Sequence, residues 1–430
     1  MRRAFRSSFF HCLDDPGPKS DAAAVEYVED GLLVVEDGNI TAFGPATELL
    51  PAMRVGTVVE DLDGKLVLPG LIDCHVHYAQ LDIIASYGER LLDWLNRYAY
   101  PAEARFADRA HGREVADAFL TELLRNGTTT AFVFATVFPE SVDAIFEAAE
   151  VRGMRLIAGK VLMDRMCPAV LRDDADTAYA DSRALLERWH GTARLGYAIT
   201  PRFALTSSEA QLAAAGRLAA EFPDVWVHTH LAENAEEVDE IARQFPWSRS
   251  YLDVYDHFGL LRERSVFAHC LHLGAADRAL LAKKGGAGAF CPTSNLFLGS
   301  GLFDLDAMAE AGVPVGLATD VGAGTSLSLL RTMSEAYKVL HLRSQTLPAA
   351  RAIYLATLGA ARALRLDDVI GNFSVGKEAD FIVIDDGGSP LTKRRARAAE
   401  TIDDLLFSLI FLGDDRNVAA TYLRGKPCRI

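Results

Sequence analysis

The sequence predicts an α/β protein, a (β/α)₈ TIM-like barrel with a smaller composite β-sandwich domain built from both chain ends. Two observations lead to this prediction. In the middle of the chain, eight strand-like segments alternate with amphipathic helix-like stretches such as SSEAQLAAAGRLAAEF. Near both ends, short β-like runs occur instead. Alternating β and α segments in this number favour a barrel of eight parallel strands.

The two ends of the chain carry the signals of the β domain. In the run GLLVVEDGNITAFG, two strand-like segments flank Asp37-Gly38, a strong hairpin signal. After Phe373 the pattern returns in VGKEADFIVIDD and NVAATYLRGKPCRI. We therefore expect residues 1–67 and 373–430 to build the β domain, and residues 68–372 to build the barrel.

The eight candidate barrel strands follow one another between these ends. In order they are KLVLPGLIDCHVH, TTTAFVFAT, RLIAGKVLM, RLGYAITPRF, VWVHTH, SVFAHC, AGAFCPT and PVGLATD. In such barrels, catalytic groups lie where strands end and the following loops begin. The ends of these segments are therefore where functional side chains are expected.

The first of these strands ends in two histidines, His75 and His77, one residue apart. Side chains alternate along a strand, so both imidazoles point the same way and can share one ion. Taken alone, the pair is a weak indication, because histidines that fill a barrel or lie on the surface give the same pattern.

Other strand ends carry matching chemistry, namely His230 with Glu233, His269 and Asp320. Unpaired polar groups that converge in this way would cost stability, and a divalent metal explains them together. Imidazoles with one carboxylate and an open position suit a catalytic Zn²⁺.

The composition of the chain limits the class of ligand that it can bind. The chain has 430 residues and a formal net charge of −15, which argues against nucleic acid and anionic membrane surfaces as partners. No apolar run approaches the length of a membrane-spanning helix. The six cysteines contain no CxxC pair, and the first residues lack a signal-peptide pattern. A cytoplasmic protein acting on a small molecule is predicted.

The segments PGLIDCHVH, THLAEN, AHCLHL and ATDVG resemble the metal-binding segments of the amidohydrolase superfamily, over essentially the whole chain. Members with two bridged metals usually supply a carboxylated lysine from a middle strand. The fourth strand here ends AITPRF and offers none, so one Zn²⁺ per chain is expected. Four further blocks, YAQ, TPRFALTSS, CPTSNLFLGSGLFDL and GLATDVGAGTSLSLLRTMSEAYK, resemble the members that deaminate guanine to xanthine in purine catabolism or salvage.

This resemblance implies a role for each residue. The implied metal ligands are His75, His77, His230 and Asp320, and the implied catalytic residues are Glu233, Asp320 and His269. The implied substrate-binding residues are Gln80, Arg202, Phe203, His230, Glu233 and Asp320. Water activated at the metal would attack C2 of guanine, Glu233 would protonate N3, and ammonia would leave. Relatives are often homodimers, which is the expectation here too.

Two residues keep open roles. His269 matches the strand-six histidine beside the metal water and is either catalytic or a distant ligand. His228 lies on the same strand face as His230 but deeper in the barrel, and we expect it to support a ligand rather than bind the metal.

Two other functions also stay open. One is a related aminohydrolase or chlorohydrolase acting on a different purine, pterin or triazine, which should lack the Gln80 and Arg202-Phe203 signature. The other is a barrel that has lost catalysis and serves as a scaffold, which retention of the complete ligand set argues against. Another architecture of zinc deaminases needs H-x-E followed by P-C-x-x-C. The segment FCPTSN supplies only one cysteine, so that architecture is excluded.

Overall fold

Strands from both ends of the chain form one mixed sheet in the computed structural model, which describes residues 2–54 and 56–428. The seven strands are β1 (Arg2–Cys12), β2 (Val25–Glu36), β3 (Asn39–Pro45), β4 (Val58–Pro69), β14 (Phe381–Ile384), β15 (Val418–Leu423) and β16 (Lys426–Pro427). Their order is β16-β15-β14-β4-β1-β2-β3, and only β1 and β4 run parallel. The predicted β domain from both chain ends is therefore confirmed.

The predicted hairpin joins β2 to β3. Glu36 pairs with Asn39, and the two residues between them have positive φ angles, 52° at Asp37 and 90° at Gly38. A two-residue hairpin of this kind needs left-handed backbone at both central positions, which Asp-Gly tolerates. One face of the sheet is covered by a buried apolar cluster of residues from both chain ends, which includes Phe5, Phe9, Leu33, Phe373, Phe381 and Tyr422.

The middle of the chain forms the predicted barrel. Its strands are β5 (Leu71–His77), β6 (Thr128–Phe134), β7 (Arg155–Gly159), β8 (Val161–Leu162), β9 (Leu195–Pro201), β10 (Trp226–Leu231), β11 (Ser265–His269), β12 (Ala287–Phe290) and β13 (Val315–Leu317). The order is β5-β6-β7-β9-β10-β11-β12-β13, with the short β8 paired to β9. All residues of these strands are buried except Arg155, as expected for parallel strands covered on both faces.

The first strand meets the segment after the last one. The His77 N–H donates to the carbonyl of Val321 at 2.7 Å, and the Asp320 N–H donates to the carbonyl of His75 at 2.9 Å. The buried Asp73 carboxylate adds to this closure by accepting hydrogen bonds from the backbone N–H and the hydroxyl of Thr319. The end of β5 and the segment that follows β13 are thereby held side by side.

Helices separate the strands. They are α1 (Ala46–Leu49), α2 (Leu91–Trp94), α3 (Tyr100–Ala104), α4 (Arg109–Arg125), α5 (Pro139–Arg152), α6 (Ala175–Trp189), α7 (Glu209–Glu221), α8 (Ala235–Gln244), α9 (Tyr251–His257), α10 (Ala275–Lys283), α11 (Pro292–Phe297), α12 (Leu305–Glu310), α13 (Leu329–Leu342), α14 (Ala349–Leu355), α15 (Leu358–Ala363), α16 (Pro390–Ala396) and α17 (Ile402–Leu412). Side-chain caps begin several of them, for example Ser208 at α7 and Asn234 at α8.

The contacts divide the chain into two units. One unit comprises Met1–Ile72, Thr121–Thr130 and Ser328–Ile430, and the other comprises Asp73–Leu120 and Ala131–Leu327. The domain limits predicted after residues 67 and 372 stay a prediction. Within the described part of the chain, every helix is too short or too polar to cross a lipid bilayer.

Candidate active site

The structure brings the sequence-predicted site residues together at the carboxyl ends of the barrel strands. His75 and His77 end β5, His230 lies one residue before the end of β10, and His269 ends β11. Asp320 follows β13 by three residues. All five side chains are buried, and His230, the most exposed of them, keeps only 8% of its surface accessible.

Three pairs of nitrogen and oxygen atoms in this cluster have the spacing of neighbouring metal ligands. Nε2 of His75 lies 3.2 Å from Oδ1 of Asp320, and Nε2 of His77 lies 3.3 Å from the same oxygen. Nε2 of His77 and Nε2 of His230 are also 3.3 Å apart. Neighbouring ligands of a tetrahedral Zn²⁺ are roughly 3.3 Å apart, because each bond is about 2.0–2.1 Å long.

His269 lies at the edge of this arrangement. Its Nε2 is 3.8 Å from Oδ2 of Asp320, longer than the other separations, and 3.4 Å from Oε2 of Glu233. One ligand atom each of His75, His230, His269 and Asp320 nevertheless lies within 4.8 Å of the others. His269 is thus close enough to bind either a metal or a water molecule beside it.

The other ring nitrogen of three histidines is held by a neighbour. Nδ1 of His230 lies 2.7 Å from the carbonyl oxygen of Arg202, and Nδ1 of His269 lies 2.9 Å from Oδ1 of Asn295. Nδ1 of His75 lies 2.8 Å from Nε2 of His228. Because an oxygen acceptor requires a hydrogen on Nδ1, the Nε2 lone pairs of His230 and His269 are available to a metal.

Burial keeps the imidazoles of His75, His77, His228 and His230 neutral. It lowers the pKa of His75 and His77, to about 4 for His77, and holds the pKa of His228 and His230 well below the ordinary value. Neutral imidazole is the form that binds metals. Nε2 of His75 is buried 3.2 Å from Oδ1 of Asp320 but makes no well-directed hydrogen bond among the described residues, so its lone pair is available to a metal ion.

Glu233 is a buried acid next to the histidines, with Oε2 3.4 Å from Nε2 of His269. Burial raises its pKa to about 8, and the hydroxyl of Ser300 donates to its Oε1 at 3.4 Å. The backbone N–H of Glu233 donates to the carboxylate of Glu237 at 3.0 Å, which fixes the turn from β10 into α8. A carboxyl group with a pKa in this range can give and take protons near neutral pH.

A pocket opens beside the cluster. Its lining includes eight of the nine predicted residues, namely His77, Gln80, Arg202, Phe203, His230, Glu233, His269 and Asp320, while His75 lies deeper. Leu91, Trp94, Leu95 and Leu298 complete the wall with apolar surface. Apolar walls with a few converging polar groups are typical of small-molecule sites.

The sequence interpretation missed Glu103, a buried acid of α3. Its carboxylate pairs with the guanidinium of Arg202, which also lies 5.2 Å from the centre of the Tyr100 ring. Burial would lower the pKa of Arg202, but Glu103 and Tyr100 raise it above its ordinary value. Nothing in the run YPAEARF distinguishes this glutamate from a surface residue of a helix, so its sequence gives no signal of the contact.

Two of the key residues have left-handed backbone. The φ angle is 72° at His269 and 50° at Asp320, a region that residues with a β-carbon rarely adopt. Such conformations cost of order 1–3 kcal/mol each and persist where the surrounding structure enforces them, often at functional sites.

A larger cavity, of about 550 Å³, lies in the other unit and contains none of the predicted residues. Arg6 and Lys65 in its wall pair with Asp30 and Asp385. Its lining contains no histidine or cysteine. Size therefore does not identify the reactive site in this protein.

Comparison with known proteins agrees with the geometry. Residues 66–428 match the amidohydrolase family. The guanine deaminase of Escherichia coli (strain K12) is 48% identical over 99% of this chain and 97% of its own. The solved E. coli guanine deaminase superposes with a TM-score of 0.97 at 47% identity over 99% of both chains. A guanine deaminase from C. acetobutylicum with bound guanine in its active site gives 0.91 at 26% identity over 100% of both chains. The chain therefore belongs to the amidohydrolase family, in the same group as the guanine deaminases.

Proposed function

We propose that this pocket catalyses the hydrolytic deamination of guanine to xanthine and ammonia, with one Zn²⁺ per chain. One observation carries the proposal. The side chains of Arg202 and Gln80, which can recognise a polar base, line the same pocket as the histidine cluster and Glu233. Recognition and chemistry are therefore available within one small volume.

The donor set suits zinc. His75, His77 and His230 offer neutral nitrogens and Asp320 offers a carboxylate oxygen, a combination of imidazole and carboxylate that Zn²⁺ accepts. When bound, Zn²⁺ lowers the pKa of water to about 7 and so supplies a nucleophile at neutral pH. No lysine follows the fourth barrel strand to bridge a second ion, since β9 ends at Pro201 and Arg202 and Phe203 come next.

Glu233 is assigned the proton transfers. Because its pKa is raised to about 8, the carboxyl group holds a proton at neutral pH and can donate it to N3 of the purine. The resulting carboxylate then accepts a proton from the attacking water and passes it to the leaving amino nitrogen. As ammonia leaves and the C2 carbonyl forms, the carboxylate takes up the remaining hydroxyl proton, which restores the acid. His269, with Nε2 3.4 Å from Oε2 of Glu233, and Asp320 are placed to orient the water.

Arg202 is assigned the choice of base. A guanidinium only donates hydrogen bonds, and guanine offers acceptors at O6 and N7 where adenine has an amino donor at position 6. Phe203 is 3% exposed and lines the same pocket, where its ring can pack against the flat purine. The related proteins named guanine deaminase, one of them with guanine bound, support this choice of substrate.

The proposal also covers the partners, the cellular compartment and the oligomeric state of the enzyme. The acidic net charge of −15 fits a protein that binds neither nucleic acid nor anionic membrane surfaces. A cytoplasmic homodimer that acts in purine catabolism or salvage is proposed, from the cysteine usage and from the family resemblance of the sequence.

The test is an absorbance assay with guanine, run together with elemental analysis of the same preparation. We expect guanine turnover that is lost on removal of metal by a chelator and returns when Zn²⁺ is added back. Absence of guanine turnover in a preparation that holds its metal would overturn the assignment.

A further inference from the structure

One carboxylate ties together the two side chains that are assigned to base recognition. Glu103 is only 1% exposed. It accepts two hydrogen bonds from Nη1 of Arg202, at 2.9 and 2.7 Å, and one from Nε2 of Gln80, at 2.9 Å. Gln80 follows β5 and Arg202 follows β9, so Glu103 joins two separate parts of the pocket wall.

These contacts fix the direction of the Gln80 amide. The oxygen and nitrogen ends of a glutamine are nearly equivalent in shape, so its direction depends on its partners. Glu103 only accepts, which places Nε2 against it, and the backbone N–H of Gly322 donates to Oε1 at 3.2 Å. The donor end of Gln80 and the guanidinium of Arg202 therefore meet at the same carboxylate.

We propose that Glu103 is the positioning residue that sets which base the pocket accepts. By holding Arg202 and the donor end of Gln80, it leaves the N–H groups that these two side chains do not donate to Glu103 as the donors for the base. These donors match O6 and N7 of guanine, two adjacent acceptors. The inference rests on the proposed guanine deamination and assigns its selectivity to a residue that does not touch the base.

A purely structural role for Glu103 predicts something different. If the carboxylate served only to neutralise Arg202, its loss would weaken every purine substrate to the same degree. If it fixes the donor pattern, its loss leaves only the 3.2 Å contact from the Gly322 N–H to hold the Gln80 amide. The amide can then turn and present its oxygen, which tolerates a donor on the base. The ratio between two substrates therefore separates the two roles.

The experiment compares guanine with 2,6-diaminopurine, which carries the same amino group at C2 but a donor in place of O6. We expect the parent to prefer guanine in kcat/KM by about 10⁴, as sites built for a hydrogen-bonding pattern do. In Glu103→Gln the preference should narrow by about tenfold or more. The change should lie mainly in KM for guanine, because the contact forms before the chemical step.

Two variants serve as controls. Glu103→Asp keeps an acceptor-only carboxylate and should keep the preference for guanine while raising KM. Asp93→Asn removes an exposed acid from the nearby α2 and should leave both substrates unchanged. Metal content and thermal unfolding of each variant confirm that the site has formed.

Gln80→Met provides a second measurement should Glu103→Gln fail to fold, because it leaves the pair of Arg202 and Glu103 in place. It too should narrow the preference, since the donor that Glu103 orients is gone. A parent without guanine turnover would refute the proposed function. If the parent turns over guanine, two results would overturn the role of Glu103. One is an equal loss of kcat/KM for both purines in Glu103→Gln, and the other is an unchanged preference for guanine in Gln80→Met.

Discussion

His228 offers a sharp test of how this metal site is built. Its Nε2 lies 2.8 Å from Nδ1 of His75. If Nε2 of His75 binds the metal, its Nδ1 carries the hydrogen and Nε2 of His228 accepts it. His228 must then carry its own hydrogen on Nδ1, which is buried and has no hydrogen-bond partner within residues 2–54 and 56–428. The ring is held by stacking on Phe132, with ring centres 3.7 Å apart.

His228→Leu removes the acceptor while filling the space with apolar atoms. Loss of such a supporting contact to a metal-binding histidine costs about 10- to 100-fold in metal affinity, which is about 1.4 to 2.7 kcal/mol. The metal-free protein should respond less. The Nδ1–H of His75 loses its acceptor, but the unpartnered N–H of His228 disappears as well, so the free energy of unfolding of the metal-free protein should change by about 1 kcal/mol or less.

The assay is competition with a chromophoric chelator, which gives the dissociation constant for Zn²⁺, alongside denaturant unfolding of the metal-free protein. His228→Gln is the matched control, because its side-chain oxygen can accept the same hydrogen bond and should hold affinity within about threefold of the parent. If His228→Leu binds Zn²⁺ as tightly as the parent, the hydrogen bond does not support His75 and the reasoning is refuted.

Three further outcomes are expected. Protein purified without added metal should contain about one Zn²⁺ per chain, and two tightly held ions by elemental analysis would contradict the mononuclear site. Glu233→Gln should keep its metal but lose about 10²- to 10⁴-fold in kcat, because an amide cannot carry the proton; a variant retaining more than about a tenth of the parental kcat would speak against the role. Arg202→Ala should reduce kcat/KM for guanine, and in the parent kcat/KM for adenine should be about 10⁴-fold lower than for guanine. Comparable kcat/KM for the two bases in the parent, or unchanged guanine turnover in the variant, would rule out Arg202 as the selective group.

The barrel and most of the site could be predicted because both follow from short-range patterns. The alternation of strands and helices is visible in the sequence, and parallel strands in a barrel end at the same face. His75 and His77 share a strand face by their spacing, and Asp320 follows the last strand, which places all three side chains together.

The remaining parts depend on the path of the chain between elements. Glu103 lies in the long connection between β5 and β6, and no periodicity reveals that α3 packs its side chain against Arg202. The direction in which His269 points depends on a φ angle of 72°, which propensity does not predict for histidine. The direction of the Gln80 amide is set in the same way, by the carboxylate of Glu103 and the backbone N–H of Gly322, which lie far away in the sequence.

The sheet that joins both ends of the chain also sets an order of events on the ribosome. Strand β4 is made early, but β14, which pairs with residues 66–69, is translated roughly 300 residues later, about 15 to 60 s at common elongation rates. During that interval one edge of β4 exposes unpaired backbone groups. Unpaired strand edges attract other chains, so this edge of β4 is a site where nascent chains can associate until β14 has been translated.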